Sequence, residues 1–312
     1  MSDTAPAIDE TSIGLADLDP EELAAATTRG EGAANVFGLP ELRDKVGRQG
    51  GDVAGLGTGS SIDFHDHRLY LPGDDVRHIN WQAYGRTGTY SMKLFREEVQ
   101  PLIDVVLDLS GSMFCGPDKA RRTAELVSFV SFSAARAQAS ARFWVVGGDQ
   151  PVAVPPEDLF AGVWPRSIPA AEVEDEDVRW SGDLAAVPFR RGSVRVLLGD
   201  LLHDSPPSQT LMPLANGAGL ALIWAPFSTS ESDPPWQDAC DLEDAESGSL
   251  LPVWADRRML RRYQEAYCRH FDLWGDAARQ LGVRLARIPA SGDLHDGLLS
   301  VAGENRAIRL MR

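Results

Sequence analysis

Two kinds of apolar spacing alternate along the chain from about residue 101. Short, near-continuous apolar runs such as LIDVVLDLS (102–110), VRVLLG (194–199) and GLALIWA (219–225) are bounded by turn residues. Between them lie longer stretches with apolar positions three and four apart. A strand that is apolar at every position suits burial on both faces, as in a parallel sheet, whereas the three-and-four spacing suits a helix with one buried stripe. The pattern predicts strands over 103–109, 142–147, 194–199, 219–225 and 283–288, with helices over about 117–140 and 256–281. That alternation is the signature of an α/β domain over 101–300, a mostly parallel central sheet with helices on both faces.

Upstream the pattern changes. Residues 1–33 are acidic and rich in small residues, and read as a flexible leader with one short helix near Asp19-Pro20. A glycine-dense connector follows near 50–60. Aromatic and β-branched residues broken by the turn Pro72-Gly73-Asp74-Asp75 then predict a β-rich, hairpin-like arm within 34–100. Residues 301–312 read as a C-terminal tail. Two acidic stretches, 172–177 and 228–249, read as exposed loops, the second carrying seven acids and no base.

Charge narrows the partners. With 46 acidic against 30 basic residues the net charge is -16, which repels nucleic acid and anionic membrane surfaces and favours a basic or cationic partner. Cys115, Cys240 and Cys268 show no C-x-x-C spacing, so neither a zinc site nor a disulfide framework is indicated and a reducing compartment is expected. No apolar run approaches the ~20 residues of a membrane-crossing helix, so the expectation is a cytoplasmic protein. The three lysines, Lys45, Lys93 and Lys119, stand among 30 basic residues, a bias attributable to base composition.

The chemistry-bearing stretch is LDLSGSM, 107–113. Ligands of doubly wound sheets bind outside the carboxyl ends of strands, and Asp108, Ser110 and Ser112 stand at such an end. A carboxylate and two hydroxyls at spacing two suit a hard cation such as Mg²⁺. A phosphate loop would need more glycines and a lysine before the helix, and a nucleophilic serine would need G-x-S-x-G. The alternative is that the serines cap the next helix. Asp200, ending VRVLLGD, is the best second carboxylate.

LDLSGSM resembles the D-x-S-x-S signature of the metal-ion-dependent adhesion site of von Willebrand factor A domains. The preceding RLYLPGDDVRHINWQAYGR resembles the motif of the DUF58 family, with Arg68, Tyr70, Pro72, Gly73, Asp74, Asp75, Arg77, Ile79, Trp81 and Arg86 at matching positions. The resemblance covers roughly residues 50–300. It implies a von Willebrand factor A-like, Rossmann-like fold, and a partnership with MoxR-type AAA+ ATPases in chaperone-like assembly of a client protein. It also implies a metal (Mg²⁺, or Mn²⁺ or Ca²⁺) on Asp108, Ser110, Ser112 and Asp200. The departures are Asn80 for Asp, Gly85 for Ala, Gly199 for the serine before the last acid, and Gly182 where the second metal loop has threonine. Ser181 is the one nearby substitute.

The expectation is therefore a non-enzymatic adaptor that presents a metal to a partner's carboxylate. The motif residues Arg77, Trp81 and Arg86 serve either packing, with Trp81 on the sheet and the arginines paired to Asp74 and Asp75, or docking to the ATPase. The alternatives are a metal-dependent hydrolase using Asp108, disfavoured because His65, His67, His78 and His203 lack a triad partner, and a degenerate scaffold that binds basic partners without metal.

Overall fold

The computed structural model describes residues 18–40, 62–71, 76–97, 100–147, 150–168, 182–245, 248–302 and 306–311. Two compact units divide the chain: a main unit of Met1–Glu41 with Pro101–Arg312, and an arm of Leu42–Gln100. The main unit opens with helix α1 (Pro20–Ala34), whose Asp19 side chain accepts the Glu21 amide at 2.9 Å, and strand β1 (Phe37–Gly38). The arm holds β2 (Ile62–Leu69), α2 (Trp81–Thr87) and β3 (Ser91–Glu97), with β2 and β3 antiparallel and a register shift between Phe64 and Asp66. The arm is thus a two-stranded hairpin with a helix inserted in the connection.

The remaining strands are β4 (Leu102–Asp108), β5 (Ser140–Val146), β6 (Val152–Val154), β7 (Val194–Leu198), β8 (Leu220–Phe227), the hairpin β9 (Asp238–Glu243) and β10 (Leu250–Ala255), β11 (Arg284–Pro289) and β12 (Arg309–Leu310). The remaining helices are α3 (Pro117–Arg136), α4 (Pro156–Phe160), α5 (Pro207–Ala215), α6 (Thr229–Ser232), α7 (Arg257–Leu281) and α8 (Leu294–Ala302). Six strands form the central sheet in the order β11-β8-β7-β4-β5-β6, parallel except for β6. This is the doubly wound arrangement expected of a von Willebrand factor A-like domain. Strand order reverses beside β4, so the crevice between the ends of β4 and β7 is where such sheets place a site.

The apolar runs are buried on both faces because successive side chains point to opposite sides. Val106, Leu197, Ile223 and Ala225 pack against Leu211 and Leu214 of α5 and Trp274 and Ala278 of α7. Trp224, the alternate residue on β8, stacks instead on Phe129 of α3 at 5.3 Å. Charged residues inside the strands find partners at their ends. Asp104 accepts the Arg190 backbone amide at 2.8 Å and its Nε at 2.7 Å, and Arg195 donates to the carbonyls of Pro213, Leu214 and Asn216 that end α5.

Three expectations are corrected. The leader reading fails over 20–34, where α1 lies against α3: a Cβ on Gly30 would stand 2.6 Å from the Ser128 Cβ, and Arg29 Nε donates to buried Glu125 at 2.5 Å. Residues 1–17 lie outside the described residues. The tail reading fails because β12 pairs with β1 and the Ala307 carbonyl accepts the Trp224 indole N–H at 3.3 Å. The 228–249 stretch is not an irregular loop but carries α6 and one strand of the β9–β10 hairpin. The acidic stretch 172–177 lies outside the described residues.

Candidate functional site at the strand ends

β4 delivers Asp108 to the carboxyl edge of the sheet, 1% exposed. Its Oδ1 accepts the Ser110 amide at 2.8 Å, an Asx turn that folds the following residues back over the strand end. The Ser110 and Ser112 hydroxyls are thereby brought within 3.2 Å of each other. Met113 and Phe114, fully buried, anchor the short 3₁₀ turn Gly111–Phe114, and Pro117 then starts α3.

β7 delivers Asp200, 2% exposed. The next residue, Leu201, is buried at φ 65°, a left-handed conformation that costs a bulky side chain about 1–3 kcal/mol. It turns the chain so that Asp200 Oδ1 accepts the Leu202 amide at 3.0 Å, while His270 of α7 meets the Leu201 carbonyl at 2.7 Å. The Ser112 hydroxyl hydrogen-bonds the same carboxyl. Asp108, Ser110, Ser112 and Asp200 are thus linked in one chain of hydrogen bonds and neighbours at the switch point.

Asp200 also holds an ammonium. Lys119, in the first turn of α3 and 1% exposed, places Nζ 2.7 Å from Asp200 Oδ2 and 2.5 Å from Glu231 Oε1. Glu231 comes from α6, at the end of β8. Burial alone would raise the Asp200 pKa, but the Lys119 ammonium outweighs it and holds the carboxyl below the ordinary range. Burial alone would likewise discharge Lys119; Asp200 and Glu231 reverse that and raise its pKa. For Glu231 burial wins: its pKa is raised, with Lys119 offsetting only part of the cost and Asp200 adding repulsion. Lys119 and Glu231 were both missed from the sequence. The available signal was a lysine kept in a chain that otherwise uses arginine, at the start of the helix directly behind D-x-S-x-S. A compact ammonium on a flexible stem can direct separate donors at two carboxylates carried by different elements.

The second metal loop departs further. Ser181 lies outside the described residues. Gly182, at φ 73°, has no room for a side chain: a Cβ would stand 2.4 Å from His203 Cε1 and 2.8 Å from Thr210 Oγ1, which itself donates to the Gly182 carbonyl at 2.6 Å. Asp183 is exposed and folds back on the Ala185 amide at 2.8 Å. At Gly199 the serine of the adhesion site would bring its Cβ within 3.2 Å of the Asp108 Cβ. Among the described residues no three Asp, Glu, His or Cys side chains are grouped to hold a metal ion. With an ammonium on Asp200 and no hydroxyl at Gly182 or Gly199, the residues present do not fit the adhesion-site cation. Beside the triad lies a cleft of about 380 Å³ lined by Leu202, His203, His270 and Trp274.

Of the arm's motif residues, Pro72, Gly73, Asp74 and Asp75 lie outside the described residues, as does the Arg68 side chain. Tyr70 pairs its amide with the Tyr90 carbonyl at 3.0 Å. Asn80, standing for the motif's aspartate, caps α2 by accepting the Ala83 amide at 3.1 Å, so the amide performs the capping for which a carboxylate also serves. Arg86 lies in the last turn of α2, and Arg77 is exposed. Trp81 is 60% exposed and, within the arm, meets the stacked pair Tyr84–Tyr90 edge-on.

The sequence matches the family described as "Protein of unknown function DUF58" over residues 66–272. The chain belongs to the DUF58 family. No curated protein matches it. Among solved structures it is similar to the conserved hypothetical protein BatB from Bacteroides thetaiotaomicron, with 13% identity and a TM-score of 0.35. It is also similar to an aerotolerance-related membrane protein from Bacteroides fragilis NCTC 9343 carrying multiple mutations to serines, with 14% identity and a TM-score of 0.34. Each likeness covers 66% of this chain and 98% of the other. Within this DUF58 chain, the match spans the arm from Asp66 and the whole strand-end triad.

Proposed function

We propose that this DUF58 protein is a non-enzymatic, protein-binding module whose recognition face is the carboxyl edge of β4, β7 and β8. Its partner class is a MoxR-type AAA+ ATPase acting on a client protein in the cytoplasm. The observation that supports this reading is the Lys119–Asp200–Glu231 triad. It commits Asp200 and Glu231 to a resident cation, so neither is free to act as a base. A metal-bearing version of the same module would require Lys119 to withdraw and Asp108, Ser110, Ser112, Ser181 and Asp200 to close around Mg²⁺. The described residues include no helix long and apolar enough to cross a membrane.

The test is a pull-down of the purified MoxR-type ATPase from the same genome on the immobilised full chain, with and without EDTA. Retention that is equal in both, and lost in Asp200→Asn, is the expected outcome. No complex, or Mg²⁺-dependent phosphatase turnover lost in Asp108→Ala, would sink the reading.

A further inference from the structure

Among the members of the strand-end triad, Glu231 is held least firmly. Lys119 and Asp200 are 1% and 2% exposed in their side chains and are tied to long elements, whereas the Glu231 side chain is 17% exposed on a four-residue helix. Its Oε1 meets Lys119 and the Ser228 amide also supports the carboxylate, but its buried Oε2 makes no hydrogen bond, so the group is less fully compensated than Asp200. The raised pKa of Glu231 agrees with that imbalance. Its backbone is tied within the short turn by its amide, which donates to the Ser228 carbonyl at 3.2 Å, and from α7 by Tyr263, which donates to the Glu231 carbonyl at 2.7 Å.

Asp200, by contrast, is supported on every side, by Lys119, by the Leu202 amide and by the Ser112 hydroxyl. The arrangement is a cation held on one carboxylate of the fold, with a second, weakly fixed carboxylate completing its shell.

We propose that the Lys119 ammonium is a built-in cation standing where a divalent ion would sit, and that an acidic side chain of the partner binds by taking Glu231's place on it. This deepens the protein-binding reading and rests on it. It makes recognition independent of metal and makes α6 an internal occupant of the site. The partner residue it fits is an Asp or Glu on a loop, because one ammonium buried at a strand end accepts one carboxylate and offers nothing to a cation.

The experiment uses the isolated full chain and two probes, so its failure is separable from failure of the pull-down. In the first arm Mn²⁺ is titrated by calorimetry. Wild type is expected to show no saturable binding. Lys119→Ala, which leaves Asp200 and Glu231 without their cation, is expected to bind Mn²⁺ at least about tenfold more tightly, with Lys119→Met as the variant that keeps the packing volume. In the second arm sodium acetate is added to Glu231→Ala and melting is followed. A saturable rise in Tm over the same concentration of chloride is expected, absent in wild type and in the double variant Glu231→Ala with Lys119→Met. Mn²⁺ binding by wild type as tight as by the lysine variants would overturn the built-in cation. Acetate without effect on Glu231→Ala would overturn the partner carboxylate.

Discussion

Lys119 illustrates how a buried charge decides the character of a site. Removing one partner of a buried ion pair leaves the other charge uncompensated, typically at a cost of about 3–5 kcal/mol, whereas removing both costs much less. Lys119→Met should therefore destabilise by about that amount in urea unfolding, and Lys119→Met with Asp200→Asn should recover a large part of it. Additive losses in this double-mutant cycle would mean the two side chains do not share the free energy the geometry assigns them. His203 gives a second prediction. Burial lowers its pKa from the ordinary 6.5, so in the folded state it is neutral where the unfolded chain already binds a proton. Its contribution is present above about pH 6.5 and is lost as pH falls toward the depressed folded value. Unfolding free energy should decline below about pH 6.5, and His203→Gln should flatten that decline. The residues legible in the sequence were those in one short motif, Asp108, Ser110 and Ser112, together with Asp200 at its strand end. Lys119 was not, because its two partners lie 81 and 112 residues away and no local pattern joins them. Gly182 was legible as a departure, but its reason, the His203 ring 2.4 Å from where a Cβ would be, exists only in three dimensions.

At the scale of elements, what was readable followed burial. The predicted strands 103–109 and 194–199 fall within a residue of Leu102–Asp108 and Val194–Leu198, because burial on both faces leaves few polar positions. The helix over 257–281 announces its ends with Asp256, which accepts the Met259 amide at 2.7 Å, and with Gly282 at φ 70°. The Asp19-Pro20 cap shows where α1 starts, but its length is not legible because Thr27, Thr28, Gly30 and Gly32 are poor helix formers, and its later turns are helical through docking rather than propensity. Gly30 is the residue that permits the docking: besides Ser128 Cβ, a Cβ there would lie 2.7 Å from the Phe129 amide nitrogen. On the exposed side of a helix Gly→Ala stabilises by up to about 1 kcal/mol; here backbone stands in the way, and overpacking should cost about 1–3 kcal/mol instead. Gly32, which has open space around it, is the internal control: Gly32→Ala should stabilise. Thermal unfolding of the two variants measures the contrast directly, and equal shifts would mean that α1 is not held against α3 in solution.

The whole molecule is a main unit interrupted by an arm: the chain leaves it after Glu41 and returns at Pro101. Both sides of that interruption belong to one core. Phe37 on β1 is fully buried and lies edge-on to His295 at 4.8 Å, while Met311 donates its amide to the Val36 carbonyl at 2.7 Å. A unit of this kind tolerates replacement of an inserted segment, since the entropic cost of closing a loop grows only slowly with its length. Replacing 42–100 with a flexible Gly/Ser linker should leave a cooperatively unfolding main unit with its far-UV signature and with the Lys119→Met destabilisation unchanged. The same variant separates the two readings of the arm. Trp81 and Tyr90, 60% and 45% exposed, offer aromatic surface of the kind that anchors protein interfaces. If the arm docks the ATPase, the linker variant and Trp81→Ala should each fold normally yet lose retention in the pull-down. If the linker variant cannot fold, the arm is structural and the docking surface is to be sought on the main unit alone.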